Sequence, residues 1–384
     1  MEIKGKYNSA KIFTENIDSS CINQIKKILD CRIFENSKIR LMPDVHTGSI
    51  CPVGLTITYS DKIVPNLVSS DISCSMSYVK IPEINIRNLD KIIHQQIPSG
   101  MNIHKFGKLS GKIFNKVDIL LDKLNISLRD KERAIILNSV GTLGGGNHFI
   151  EVAKSKETGQ YYLIVHSGSR NLGIKIHQYW QDKAIENLRK DKLNNENFEF
   201  KDCPENLAYL EDEDLLNYLS DCQIADKYAD LNRITIIELI TGKLGIKNHK
   251  MEIKTTRHNY IDQENKIIRK GAISANEGEE VLIPLNMRDG SLLAIGKGNS
   301  DWNYSAPHGA GRLISRGKSK ELITLDEFVK SMEGVYSTSI NESTIDESPM
   351  VYKDAKEIES LISDSVEVKE HLIPVYNFKA GSKE

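Results

Sequence analysis

One histidine, His308, stands in the stretch SAPHGAGR between Pro307 and a Gly-Ala-Gly run that Arg312 closes. Pro307 disfavours the helical region for Ala306, so the imidazole begins neither a helix interior nor an ordinary strand, and its small neighbours leave it accessible. A neutral imidazole nitrogen is a competent nucleophile near pH 7, and a guanidinium four residues on suits an anionic substrate such as a phosphate.

Other residues have the chemistry of metal ligands. In SSDISCSMSYV, Asp71 and Cys74 lie three residues apart at a turn ahead of a strand. A carboxylate and a thiolate there can converge on a cation, or be a capping Asp and a packed Cys. GTLGGGNHFIEV brings Asn147, His148 and Glu151 out of a glycine-rich turn that permits close approach by a ligand, or is simply a sharp turn. In VHSGSR, His166 ends the apolar run YYLIV, and Arg170 beside Ser167 and Ser169 suits a phosphate or else a surface loop. His258 in RHNY is, alone, as readily structural. Together, one Asp, one Cys and three His at turns and strand ends form a mixed ligand set suited to Mn, Zn, Co or Fe.

GRLISRGKS is not a phosphate-binding P-loop, because its glycines are separated by more residues than G-x-x-x-x-G-K-[ST] allows. It clusters Arg312, Arg316, Lys318 and Lys320 after His308, as a local anion site or as a solvated helix face.

Elements must bring these residues together. Residues 1–160 and 250–315 are rich in short β-type runs such as GLTITYS, MSYVKI, YYLIVHSGS and HKMEIKTTRHNYI. About 174–242 carries helical periodicity, interrupted at Pro204, with DKLNNENFEFKD as a surface connection; STSINESTIDESPMVYKD reads as a polar loop. Strands on both sides of a helical block predict an α+β chain, one domain over 1–384 with a helical insertion at about 174–242.

The 384 residues are 39% hydrophobic and 27% charged, ordinary for a soluble globular protein, with no apolar run long enough for a membrane span and no secretory signal, so a cytoplasmic location is expected. Cysteines 21, 31, 51, 74, 203 and 222 form no C-x-x-C pair, which fits reduced thiols. A formal net charge of −2 gives no global attraction to phosphate backbones, so a nucleic-acid partner would be held by a local basic patch or by bound metal.

MPDVHTG, SSDISCSM, GTLGGGNHFIE, VHSGSR, RHNY, RKGA, HGAGR and near-terminal Lys379 occur in the order seen in the RtcB RNA ligase family, which the chain resembles over about residues 40–380. ADKYADLNR is similar to that family's helix at the same point. The resemblance implies mixed and antiparallel sheets around a central metal cleft with flanking helices. It also implies a GTP- and Mn²⁺-dependent ligase joining an RNA 3'-phosphate or 2',3'-cyclic phosphate to a 5'-hydroxyl end.

In that reading Cys74 bridges two Mn²⁺ ions, with His166 and His258 completing one site and Asp71 and His148 the other, and His308 is the nucleophile that carries GMP. The resemblance further assigns Asn147, Glu151, Arg170, Asn259, Asn286, Ser291, Gly309 and Lys379 to nucleotide or phosphate contacts, with Glu151 and Lys379 on the guanine. Asp44, His46, Arg312 and Arg316 fall to RNA or phosphate contacts, and an archease-type protein is a candidate activator. The chain departs from the family pattern at Ser73 and Ser75, which stand where glycines are usual, at Leu285–Asn286, at Arg257 and at Pro307. The rival expectation is a metal-dependent phosphoesterase on the same five ligands, which would need no covalent guanylate.

Overall fold

The computed structural model describes residues 1–195, 198–247 and 251–381; residues 196–197 of DKLNNENFEFKD and 249–250 of HKMEIKTTRHNYI lie outside them. The near-continuous apolar runs become strands with both faces covered. β5 (Ser75–Ile81), β6 (Phe149–Ser155) and β7 (Tyr161–Ser167) are buried along almost their whole lengths. They belong to an antiparallel seven-stranded sheet with β8 (Lys254–Arg257), β12 (Glu280–Asn286), β13 (Gly290–Gly296) and β15 (Val366–Lys379), in the order β12-β13-β15-β6-β7-β5-β8.

The sheet curls until its ends meet: the Leu282 N–H in β12 donates to Thr256 Oγ1 in β8 at 3.1 Å, making a nearly closed barrel. Met76, Tyr78, Phe149, Tyr162, Ile164 and Leu282 pack together as the barrel's filling. A second cluster, including Val79, Val152, Ile93 of α2 (Ile86–Gln96) and Ile236 of α6 (Asp212–Lys243), covers the other face.

A six-stranded sheet has the order β1 (Glu2–Lys4), β2 (Ser9–Ile12), β3 (Ile39–His46), β4 (Val53–Thr58), β10 (Ile267–Lys270), β9 (Asn259–Asp262), antiparallel except at β2–β3. The ribbon β11 (Ala272–Ser274) and β14 (Ser305–Pro307) delivers His308. The largest core joins this six-stranded sheet to α1 (Ser19–Leu29), α5 (Arg170–Asn194) and α6. α3 (Gly111–Leu121) and α4 (Asp130–Ser139) lie between β5 and β6, and α7 (Arg316–Leu322), α8 (Leu325–Ser331) and α9 (Ala355–Leu361) follow His308.

The α+β class and antiparallel sheets agree with the sequence reading. The expected helical block is α5 and α6, with Pro204 in the connection between them. Three features differ. α1 to α4 punctuate the stretch read as sheet; α1, for instance, starts where Asp18 Oδ1 accepts the Cys21 N–H at 2.8 Å. β15, whose central position pairs it with β13 and β6, tolerates Pro374 because the ladder shifts register there. The polar loop of 337–354 contains two 3₁₀ segments and is largely buried, since its acids meet cations from other elements. All six cysteines are free and buried. Among the described residues no helix is long and apolar enough to cross a membrane.

Candidate active site

Strand register explains why five distant residues meet. Ser75 of β5 pairs with Ser167 of β7 and with Arg257 of β8, and Phe149 of β6 pairs with His166. Cys74, His148, His166 and His258 therefore gather at one end of the barrel. The His258 N–H donates to the Cys74 carbonyl at 3.1 Å, locking the two turns together.

Cys74 Sγ sits 3.2 Å from His148 Nε2 and 3.1 Å from His166 Nε2. His166 Nε2 is 2.8 Å from His258 Nε2, and His148 Nε2 is 3.2 Å from Asp71 Oδ2. The ligand atoms of Cys74, His148 and His166 all lie within 4.8 Å of one another. His166 donates its Nδ1–H to the Asn147 carbonyl at 3.1 Å, which turns the Nε2 lone pair inward. Burial, with His148 and Lys379 adding positive charge, keeps His166 well below the ordinary imidazole value; burial and His308 do the same for His258. Two neutral rings thus aim nitrogens at each other.

Burial and the Asp71 charge push the Cys74 thiol well up, while Asp71, against the pull of burial, is held below the usual carboxylate range by His148. A divalent cation bound among these atoms would favour the thiolate. The donor chemistry and converging atoms fit a metal centre, which a Cys-His-His cluster could bind.

His308 completes this end. Its ring lies 4.9 Å from that of His258, centroid to centroid. Nδ1 is 2.7 Å from Asp44 Oδ2, and its backbone N–H reaches the same oxygen at 3.2 Å. A carboxylate at Nδ1 keeps the proton there and leaves Nε2 as the free lone pair. Two glycines make the approach possible. Gly311 (φ +77°) rests on Asp44, whose carbonyl oxygen an added Cβ would meet at 2.3 Å; a Cβ at Gly271 (φ +61°) would meet His308 Cε1 at 3.1 Å.

The cleft in front of these groups has a volume of about 1020 Å³. Asn147, Glu151, Asn259, Asn286, Gly309 and Lys379 line it. Glu151 is 2% exposed, and burial pushes its carboxyl up to about 8, although Asn377 and Lys379 pull the other way. Asn377 Nδ2 donates to Glu151 Oε2 at 2.8 Å, leaving Glu151 Oε1 and Asn377 Oδ1 buried without partners. Lys379 Nζ is 2.6 Å from Glu347 Oε2. Arg312 and Arg316 also line the cleft and both pair with Glu347, at 3.3 and 2.7 Å; those cations hold the Glu347 carboxyl down at about 2 despite its burial.

Most of the other residues singled out in the sequence sit further back. Asp44 is fully buried behind His308, so it reaches the site through that ring. His46 lines the cleft with Nδ1 2.8 Å from the Asp44 carbonyl, and desolvation lowers it to about 4. Arg170 braces Thr142 and the Gly100 carbonyl, and Ser291 is 1% exposed with no partner for Oγ.

Glu347, Asp346 and Asn377 escaped the sequence reading. They stand in polar stretches, and the signal that could have found them was the excess of cations at Arg312, Arg316 and Lys379 awaiting a counter-charge. Arg233 escaped too. Fully buried on α6, it donates to Ser77 Oγ at 2.8 Å and the Ser167 carbonyl at 2.9 Å, tying the strands that carry Cys74 and His166 to the helix.

A family model described as tRNA-splicing ligase RtcB matches residues 24–380. RNA-splicing ligase RtcB of Escherichia coli (strain K12) is 31% identical over 362 residues, spanning 86% of this chain and 87% of that protein. tRNA-splicing ligase RtcB of Aeropyrum pernix is 26% identical, spanning 83% and 82%, and that of Methanococcus maripaludis is 24% identical, spanning 95% and 92%.

Proposed function

Since the chain belongs to the RtcB family of RNA ligases, we propose that it joins RNA 3'-phosphate or 2',3'-cyclic phosphate ends to 5'-hydroxyl ends through a guanylate carried on His308. The observation that supports this most is the Asp44–His308 pair beside the Cys-His cluster. The ring is held by Asp44 at Nδ1 with its other nitrogen free, as a covalent nucleophile requires.

His308 Nε2 attacks the α-phosphorus of GTP; an N–P bond forms as the bond to pyrophosphate breaks. Asp44 keeps the Nδ1 proton and balances the positive charge that the ring gains. An oxygen of the RNA 3'-phosphate then takes the GMP, breaking the N–P bond and restoring His308. The 5'-hydroxyl displaces GMP from the activated end and loses its proton, closing a phosphodiester. A cyclic phosphate first takes up water to become the 3'-phosphate.

Cys74, His166 and His258, together with Asp71 and His148, would hold two Mn²⁺ ions, which when bound would neutralise charge building on the phosphoryl oxygens. Glu151 and Lys379 are proposed to read the guanine, an acceptor and a donor that distinguish it from adenine. Asn147, Asn259, Asn286 and Gly309 would line the nucleotide's path.

Incubation with α-labelled GTP and Mn²⁺ tests the reading. An acid-labile adduct that disappears in His308→Ala, together with GTP-dependent joining of 3'-phosphate and 5'-hydroxyl oligonucleotides, is the expected result. Opening of a cyclic phosphate without an adduct would replace it by the phosphoesterase.

A further inference from the structure

The cleft chemistry leaves unexplained the segment that leads into α3. Between Asp90 and Asp118 the chain has no acidic residue, while Lys105, Lys108, Lys112 and Lys116 are all exposed there, on a protein of net charge −2. Among the described residues none of these four ammonium groups has an ion-pair partner. In their midst Phe106 is 91% exposed and Met101 81%. The Phe106 ring is supported on one side by Phe114, 6.1 Å away between centroids.

The segment is fixed to the back of the catalytic turn. The Gly100 N–H donates to the Gly144 carbonyl at 2.9 Å, and the Gly100 carbonyl accepts from Arg170 Nη2 at 3.2 Å. The His104 N–H donates to the Asn138 carbonyl at 2.9 Å, and its Nε2 lies 3.0 Å from the Gly141 carbonyl. On the other side of that glycine turn stands His148: a Cβ added to Gly144 would lie 2.8 Å from His148 Nδ1.

We propose that Phe106 and the lysines around it form a docking surface for single-stranded RNA flanking the reactive end, with one base stacked on the ring and neighbouring phosphates on Lys105, Lys108 and Lys112. The inference rests on the ligase reading, which puts an RNA end at the cleft. Charge complementarity selects the occupant. Lysine is depleted at protein interfaces, whereas an exposed aromatic ring set among cations is the basis of sequence-tolerant strand binding. A single strand is specified because only an unstacked base can lie on a protruding ring.

The test uses the metal-loaded full-length protein and a short, labelled single-stranded RNA with a 3'-phosphate. Phe106→Ala weakens binding roughly 5- to 100-fold, and Phe106→Trp restores it. Replacing Lys105 and Lys108 by Gln lowers the slope of log affinity against log salt by about 1.4. All three variants keep the wild-type melting temperature and the wild-type rate of His308 labelling by GTP without RNA, and Phe106→Ala raises KM for RNA with little change in kcat.

Unchanged RNA affinity in Phe106→Ala overturns the proposal. So does a changed sedimentation mass with unchanged RNA affinity, which would give the surface to a second copy of the chain. Failure of the ligase reading is distinct from either, since the wild-type protein would then neither take label from GTP nor join ends.

Discussion

Asp44 Oδ2 stands 2.7 Å from His308 Nδ1 and 3.2 Å from the backbone N–H of the same residue, so one buried oxygen fixes both the ring and the chain that carries it. Asp44→Asn keeps the shape but removes the charge that balances the ring after attack, and lets an amide donor face Nδ1. The rate of His308 labelling by α-labelled GTP should fall by roughly 10²- to 10⁴-fold, the scale seen when a buried aspartate behind a catalytic histidine is made an amide. Metal content should not change. Equal labelling time courses would remove Asp44 from its positioning role.

Cys74 Sγ is in contact with both His148 and His166. Cys74→Ala should therefore lose most bound metal after dialysis, measured by elemental analysis, and lose joining activity. In the wild-type protein Mn²⁺ at about 100 times its Kd should add about 2.7 kcal/mol of stability, and the variant should show little of that gain in a thermal melt. A variant that binds Mn²⁺ as the wild type does would mean the cluster is held for another purpose.

Glu151 sets a pH dependence whose sign follows from its burial. Its carboxyl rises from 4.5 to about 8 in the folded protein, so the native state holds a proton that the unfolded chain has released. Its contribution to stability is complete below about 4.5 and is lost as pH climbs toward 8. Glu151→Gln carries no charge to desolvate, and the difference in melting temperature between variant and wild type should move in the variant's favour across that window. A difference independent of pH would show that Glu151 is solvated or paired when ionised.

Much of the Cys-His cluster was legible because its members stand at turns beside strong strand signals, and strand register then does the assembling. Cys74 before SMSYVKI and His166 after YYLIV needed only antiparallel pairing of two obvious strands to meet. The fold was less legible where local pattern and burial disagree. β15 is a central strand, yet VEVKEHLIPVYNFK carries charges and a proline and so resembles an edge or a loop. NESTIDESP lacks apolar periodicity because Asp346 and Glu347 are buried by counter-charge, and the cations responsible, Arg312, Arg316 and Lys379, lie tens of residues away in sequence. Arg233 on α6 looks like any helix-surface arginine until the fold puts it under Ser77 and Ser167.

Ser73, where the family usually has glycine, turns out to occupy the conformation that glycine favours. Its φ is +59°, it is fully buried, and its Oγ has no partner, while its N–H and carbonyl are engaged by the Asn259 carbonyl at 2.7 Å and by Ser75 Oγ at 2.8 Å. A left-handed serine costs roughly 1–2 kcal/mol, and a buried unsatisfied hydroxyl roughly 1–3 kcal/mol more. Glycine would avoid both while losing about 0.5–1 kcal/mol to the greater freedom of its unfolded chain. Ser73→Gly should therefore raise the melting temperature of the metal-free protein by a few degrees and leave the affinity for Mn²⁺ equal or higher, because the backbone that aims Cys74 is kept. A lower melting temperature would mean that the serine side chain packs well enough to outweigh its strain, and that this loop holds its geometry by a route different from the glycine-containing members of the family.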